Sequence, residues 1–330
     1  MKVLVTGGNG FLGRAIVSEL ARRGHAVSSA SRRPSRELDS LGVRTFTCDL
    51  RNREHVERAV AGQEAVVHAA ALTGLGGVRA DFVRTNVEGT RFVIEACRAS
   101  GVGRLVYTSS PSVVFDGRDH RHADESLPYA RRPMAAYAAT KAAAEREVLA
   151  ANDARLATIA LRPHLVLGPG DPNLMPRLVA RARAGKLAIV GRGDNEVSFT
   201  WIENAAAAHA DAIERLELGA RVAGRAFFVA QKEPVALWPW LGELFTRAGI
   251  PPPRRRVSRA FAWTAGAACE VVWKLARRGG EPPMTRFLAL ELAASHSYDV
   301  GALERELGYH ERVSTAEATE RLVVLLRDIT

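Results

Sequence analysis

Cysteine is scarce, with three residues in 330, and Cys48, Cys97 and Cys269 stand far apart, odd in number and outside any metal-binding spacing. Neither a disulfide framework nor a zinc site is expected, and the thiols read as small core residues in a reducing compartment. Long apolar runs are missing too. None approaches the roughly 20 residues that cross a bilayer, and the first apolar strand starts almost at Met1, leaving no room for a secretory signal peptide. A cytoplasmic location is therefore expected. Aromatic residues make up only 6% of the chain, and the basic residues are scattered rather than interleaved with aromatics in one patch. Despite a net charge of +10, no nucleic-acid partner is expected; an anionic substrate, an anionic cofactor or a membrane surface accounts better for the sign. With 47% hydrophobic and 25% charged residues, the chain can bury one large core or two interlocked ones.

The densest signal is Thr6-Gly7-Gly8-Asn9-Gly10-Phe11-Leu12-Gly13. Val3, Leu4 and Val5 before it read as a buried parallel strand, and Phe11, Leu12, Ile16, Val17 and Leu20 recur at helical spacing until Gly24. Glycines at such a strand-to-helix turn expose backbone N–H groups at the positive end of a helix and let a pyrophosphate come close. A dinucleotide site is the reading, against the blander one of a tight turn with no ligand.

Later strand ends carry further candidates. A second strand, Ala26 to Ala30, ends in Ser31-Arg32-Arg33, where an acid would bind an adenosine ribose and arginines instead suit a 2′-phosphate. This points to NADP(H) rather than NAD, the alternative being a solvated basic loop. A third strand, Arg44 to Thr47, leads to Asp49 and Leu50; Asp49 reads as an adenine contact or as a helix N-cap. A fourth, Ala65 to Val67, runs into His68-Ala69-Ala70, with small residues that leave space for a cofactor and a histidine better suited to the core than to catalysis. Residues 72–77 read as a glycine-rich loop over the site. A helix from Asp81 to Ala99 contains Asn86, and a fifth strand, Arg104 to Thr108, ends in Ser109-Ser110-Pro111-Ser112. These serines are either ligand contacts or turn formers.

The alanine-rich segment from Ala135 to Ala151 is a strong helix former, and it places Tyr137 and Lys141 one turn apart on one face. A lysine ammonium there favours the tyrosinate, bringing a phenol that titrates near 10 toward the range of proton transfer. The pair gains specificity from following the glycine turn and the strand-end serines.

Taken together, these elements make the chain resemble an extended short-chain dehydrogenase/reductase of the 3β-hydroxysteroid dehydrogenase branch. The segments 109–117 and 161–171 are similar to those of sterol-4α-carboxylate 3-dehydrogenases and of bacterial 2-alkyl-3-oxoalkanoate reductases. Residues 137–153, 156–171 and 283–287 are closer to the latter. The resemblance implies Tyr137 as proton donor to a ketone, Lys141 as the group that lowers its pKa and holds the nicotinamide ribose, and Ser110 as a hydrogen bond to the substrate oxygen. It implies a cofactor bed of Gly7, Gly10, Phe11, Leu12, Gly13, Ser31, Arg32, Arg33, Asp49, Leu50, Ala69, Ala70, Asn86, Tyr137, Lys141 and Pro163, with no metal.

The expected fold is α/β: a Rossmann-type doubly wound parallel sheet, residues 1–165, with a smaller, mostly helical substrate lobe, residues 166–330. Segments near 186–230 are expected to return to the first domain, including strands near Ile189 and at Ala226 to Val229. The expected reaction is NADPH-dependent reduction of a 2-alkyl-3-oxo carboxylic acid, the substrate being a small hydrophobic carboxylate, and the expected assembly is a homodimer. NAD(P)-dependent sterol-4α-carboxylate oxidation, a nucleotide-sugar epimerase and a non-enzymatic NADP(H)-sensing protein are the rivals. The apolar, tryptophan-rich stretch from Phe261 to Leu275 is expected to pack over the substrate cleft, peripheral membrane contact through residues 254–278 being the alternative.

Overall fold

Val3, Leu4 and Val5 are fully buried in a strand, Lys2–Thr6 (β1), and the expected helix follows at Phe11–Arg22 (α1). Val3 and Val5 face one apolar core and Leu4 the other, the condition of a central parallel strand covered on both sides. In this computed structural model, which describes residues 1–33, 35–276 and 280–328, six further strands extend the sheet. They are Ala26–Ser31 (β2), Arg44–Thr47 (β3), Ala65–His68 (β4), Arg104–Thr108 (β5), Ala157–Pro163 (β6) and Arg225–Val229 (β7). Their order is β7-β6-β5-β4-β1-β2-β3 and every pairing is parallel. The strand order reverses between β1 and β4, so the sheet opens a crevice at the carboxyl ends of those two strands. The Rossmann-type fold is as expected.

Helices Gly89–Ala99 (α2), Ala136–Ala150 (α3) and Ile202–Arg215 (α4) flank this sheet. The single helix expected from Asp81 to Ala99 is instead a short turn, Arg79–Phe82, then a π-helical stretch, Val83–Glu88, and then α2. Such widened turns cluster at functional sites. This one carries Asn86, whose carbonyl accepts the Thr90 hydroxyl at 2.6 Å.

The chain returns to the sheet after residue 200, with α4 packed on the core beneath β1 and β7 added beside β6. The strand near Ile189 does not join it. Ala188–Val190 pairs with Arg255–Val257 in a separate two-stranded ribbon, because Leu187 and Val190 belong to a second apolar core with Leu167, Trp201, Leu241 and Phe245. In this lobe the stretch around Phe261 to Leu275 is a 17-residue helix, Arg259–Leu275 (α5), that lies against Arg286–Glu291 (α6). Gly266 marks the contact: a Cβ there would meet the Thr285 carbonyl carbon at 2.6 Å. A parallel pairing of His296–Tyr298 with His120–Ala123 ties the lobe to the segment that follows β5.

Candidate active site

The glycine turn sits at the point where the strand order reverses. Gly7 has φ of +73°, which a side chain rarely adopts, and a Cβ on it would meet Ala70 Cα at 2.8 Å. A Cβ on Gly13 would lie 2.1 Å from the Gly7 carbonyl oxygen. The turn therefore closes only with glycine at both places. It is pinned by Gly7 N–H donating to Ala30 O at 2.7 Å and Gly10 N–H to Gly7 O at 2.8 Å. Gly10 caps α1 with no side chain, and the first turn of the helix carries no acid. The N–H groups of Phe11, Leu12 and Gly13 have no partner within the helix, so backbone donors and the positive helix end converge on one spot.

Beneath the turn the polar groups are joined. Thr6 Oγ1 and Thr90 Oγ1 flank the His68 ring at 2.7 and 3.0 Å, and Ala70 N–H donates to Thr6 Oγ1 at 3.2 Å. Burial pushes His68 down to about 3, helped by the charge of Lys141. It is thus a neutral core residue, paired by two hydroxyls that sequence reading missed. Ala70 lies against Gly7 of the turn, and Ala69 N–H donates to Thr6 O at 3.3 Å.

At the end of β2, Ser31 Oγ accepts from Asn9 N–H at 3.1 Å. Arg32 and Arg33 follow, exposed, and their guanidiniums have no ion pair or hydrogen bond among the described residues. Asp49 stands close enough for Arg32 to lower its pKa, but its carboxylate is gripped first by Arg51, at 2.6 to 3.1 Å. It is not the N-cap of the next helix; Asn52 is, accepting from His55 N–H at 3.2 Å. Leu50 is buried under Gly89.

On α3 the expected face exists: Tyr137, Lys141 and Glu145 follow one another at four-residue spacing. Tyr137 is half-buried, and burial pushes its phenol up to about 12, with the Ser110 side chain acting the other way and Glu291 adding to the rise. Ser110, two residues past the end of β5, caps the turn Pro111–Val113 and accepts from Ser112 N–H at 3.2 Å. Ser109 is buried, and its Oγ lacks a partner among the described residues. Lys141 is not among the groups that shift the Tyr137 phenol. Its ammonium donates to Thr108 O at 2.5 Å and lies 4.0 Å from the Tyr107 ring centre. Burial lowers its own pKa to about 7, with Glu145 opposing.

The Asn86 side chain is held by groups of the chain itself. Its amide brackets the backbone of Leu72 at 2.7 and 2.9 Å and reaches Thr140 Oγ1 at 3.2 Å. It therefore fixes the start of the glycine-rich loop and the helix turn that follows Tyr137. Pro163 ends β6 opposite Val229, buried.

Two groups were not anticipated. Glu145 and Arg162 form a buried ion pair at 2.6 Å, and Tyr129 donates to the same carboxylate at 2.8 Å. The repeat of four from Tyr137 through Lys141 was the available signal for Glu145. Glu291, the last residue of α6, has no hydrogen bond or ion pair for its carboxyl among the described residues, and burial pushes it up to about 8. No pattern in the sequence marks it, since only the return of α6 over α3 brings it near Tyr137. Phe115, Phe287 and Leu290 form a small apolar cluster, with Met134 packed against it. A cleft of about 320 Å³ among Arg132, Pro133, Met134, Trp263 and Arg286 opens beside it.

The sequence pattern of the 3-beta hydroxysteroid dehydrogenase/isomerase family matches residues 4–259. The chain belongs to that family. Within it, the chain is 47% identical to a 2-alkyl-3-oxoalkanoate reductase of Stenotrophomonas maltophilia (strain K279a), over 98% of both chains. It is 35% identical to a decarboxylating sterol-4-alpha-carboxylate 3-dehydrogenase of Mus musculus, over 98% of this chain and 90% of the relative. Among solved structures it is similar to the UDP-glucose 4-epimerase of Thermus thermophilus in complex with NAD, with a TM-score of 0.73, 26% identity and full coverage of both chains. Like the reductase and the dehydrogenase to which it is similar, it is an oxidoreductase acting on CH–OH and C=O groups.

Proposed function

We propose that the protein reduces a 2-alkyl-3-oxo carboxylic acid to the 3-hydroxy acid, with NADP(H) as its cofactor. The observation that carries the reading is Tyr137, a half-buried phenol with a pKa pushed up to about 12 and Ser110 beside it, at the carboxyl edge of the sheet. A phenol that keeps its proton at neutral pH is in the state a general acid needs, which suits reduction. The 47% identity to a named 2-alkyl-3-oxoalkanoate reductase supports the substrate class.

The chain's own groups fit a phosphorylated dinucleotide. The glycine cradle and the free N–H groups of Phe11, Leu12 and Gly13 would take the pyrophosphate, and the unpaired Arg32 and Arg33 the 2′-phosphate. Ala69, Ala70, Leu50 and Pro163 would line the bed, with Asp49 beside the adenine. The chemistry supplied by a cofactor held there would be hydride transfer to the ketone carbon. Ser110 would donate a hydrogen bond to the ketone oxygen, Tyr137 would give that oxygen its proton, and Lys141 would hold the nicotinamide ribose. In this reading residues 1–165 bind the cofactor, residues 166–330 the apolar body of the substrate, and the protein works in the cytoplasm as a homodimer paired through α2 and α3. Sedimentation showing a concentration-independent monomer would reject the dimer.

The 35% identity to a sterol-4-alpha-carboxylate 3-dehydrogenase supports a second reading, oxidation of a carboxysterol. Both substrates present an oxygen at carbon 3 beside a carbon bearing a carboxylate. Oxidation of NADPH and of NADH with a 2-alkyl-3-keto acid, measured beside NAD(P) reduction with a 4α-carboxysterol, separates the two. NADPH-linked ketoacid turnover is expected, and sterol oxidation alone would replace the first reading with the second.

A further inference from the structure

Residues 70–77 run from one half of the site to the other. Ala70 lies against Gly7 of the glycine turn, and Asn86 holds the Leu72 backbone from both sides. Leu75 packs on the cluster of Phe115, Phe287 and Leu290, where Met134 and Ala135 also pack, and Ala135 is the N-cap of the helix that carries Tyr137 in its first turn. The segment therefore joins the glycine turn to the start of α3, the path that a cover over cofactor and ketone has to take. Gly74 and Gly77 have φ of +111° and +114°, a backbone that side chains rarely adopt, so the path depends on glycine. Little fastens it. For residues 73–77 the one hydrogen bond among the described residues is Leu75 N–H donating to Glu281 Oε1 at 3.0 Å.

Glu281 is itself anchored in the lobe. Its other oxygen pairs with Arg177 on the helix Leu174–Arg183, and Arg181 of that helix donates to the Pro283 carbonyl. The two backbones meet closely: a Cβ on Gly76 would lie 2.7 Å from Glu281 Cα, and one on Gly74 would strike Glu281 Oε1. Glycine at both places is what lets the loop reach the carboxylate. The Arg177 side chain is 57% exposed and that of Glu281 25%, and an ion pair so near solvent is broken and remade at little cost. A loop closed on one such contact has the make-up of a cover that opens for exchange and excludes water when shut. We propose that Glu281, oriented by Arg177, is a positioning residue that latches residues 72–77 shut over the cofactor and the ketone.

The latch rests on the reading of Tyr137 and the glycine turn as the site of NADP(H)-linked reduction. Two measurements on the full chain test it: amide hydrogen exchange of the peptide spanning residues 72–77, with and without NADPH, and steady-state kinetics with a 2-alkyl-3-keto acid. In the wild type, NADPH is expected to slow exchange in this peptide. Glu281→Ala should speed that exchange and raise KM for the ketoacid, each by roughly tenfold, the scale of one hydrogen bond to a charged group, while kcat does not fall. A general loss of structure would lower kcat as well. Glu281→Gln keeps an oxygen that accepts from Leu75 N–H and should restore most of the protection and most of the KM. Gly76→Ala leaves Glu281 in place and suits the loop's own backbone, since Gly76 is outside the left-handed region; it should give the same split by blocking the approach from the loop side. Equal exchange in the wild type and Glu281→Ala would overturn the latch, and so would faster exchange with KM unchanged. Exchange needs no ketoacid, so a wild type that reduces none would overturn the reaction and leave exchange to decide the latch.

Discussion

Two carboxyl groups lie near Tyr137, one on its own helix and one brought in on α6, and they are treated in opposite ways. Glu145, on the sheet side, is fully buried and held by Arg162 and the Tyr129 hydroxyl. Glu291, on the cap side, has no partner among the described residues and is pushed up to about 8. A buried charge is tolerated when its hydrogen bonds are met, and an unmet carboxyl takes a proton instead. The sheet side is therefore a preset frame for Tyr137 and Lys141. The cap side holds an acid with no partner among the described residues, on a helix packed against one that is apolar inside and out.

The comparison breaks most sharply at the residue between the two carboxyls. Tyr137→Phe should lower turnover by roughly 100- to 10,000-fold while leaving cofactor affinity intact. Steady-state rates with a cofactor fluorescence titration give both readouts, and near-normal turnover would remove Tyr137 from the chemistry.

Next in size is the frame itself. Glu145→Gln leaves the Arg162 guanidinium buried without its counter-charge, and breaking such a pair costs about 3–5 kcal/mol. Denaturant unfolding should show that loss, together with a shift in the pH profile of turnover as Lys141 loses the neighbour that favours its charge. Unchanged unfolding would show the pair to be dispensable.

A smaller effect is expected at the far end of the cofactor bed. Ser31→Asp with Arg32→Ala introduces an acid and removes one free guanidinium. Charge-assisted hydrogen bonds to a phosphate contribute about 1.5–3 kcal/mol each, so preference should move from NADPH to NADH by roughly ten- to a hundredfold. Comparing kcat/KM for both cofactors measures it, and a wild type that already prefers NADH would undo the NADP(H) reading.

A further test concerns Glu291 and reads stability rather than turnover. Its pKa is about 8 in the folded chain against an ordinary 4.5, so between those values the folded state keeps a proton that the unfolded state has released. Stability from this group is therefore full at low pH and falls as pH rises from about 5 to about 8. Glu291→Gln stays neutral and should flatten that part of the curve of thermal midpoint against pH. Superimposable curves would show that the carboxyl is not held uncharged.

Much of this protein was legible from its residues because local rules and tertiary environment agreed. Apolar Val3 to Val5, the glycines that follow and the helical spacing to Leu20 could only make a buried strand, a tight turn and a covering helix, and the turn's chemistry followed from missing side chains. The four-residue step from Tyr137 to Lys141 likewise survives folding unchanged, because a helix fixes which of its residues share a face. What the tertiary structure alone decided lies where contacts join distant segments. The strand at Ala188–Val190 pairs with Arg255–Val257 because its neighbours are drawn into the second core, a choice that β-propensity does not encode. Lys141 turns to Thr108 O and Asn86 to Leu72, since a buried donor takes the nearest acceptor whatever its motif suggests. Glu291 comes near Tyr137 across more than 150 residues of chain. The exposure of Phe261, Val271, Val272 and Leu275 on α5 is likewise a product of packing: an apolar helix can bury only the face that meets α6, and the fold chose which face was left.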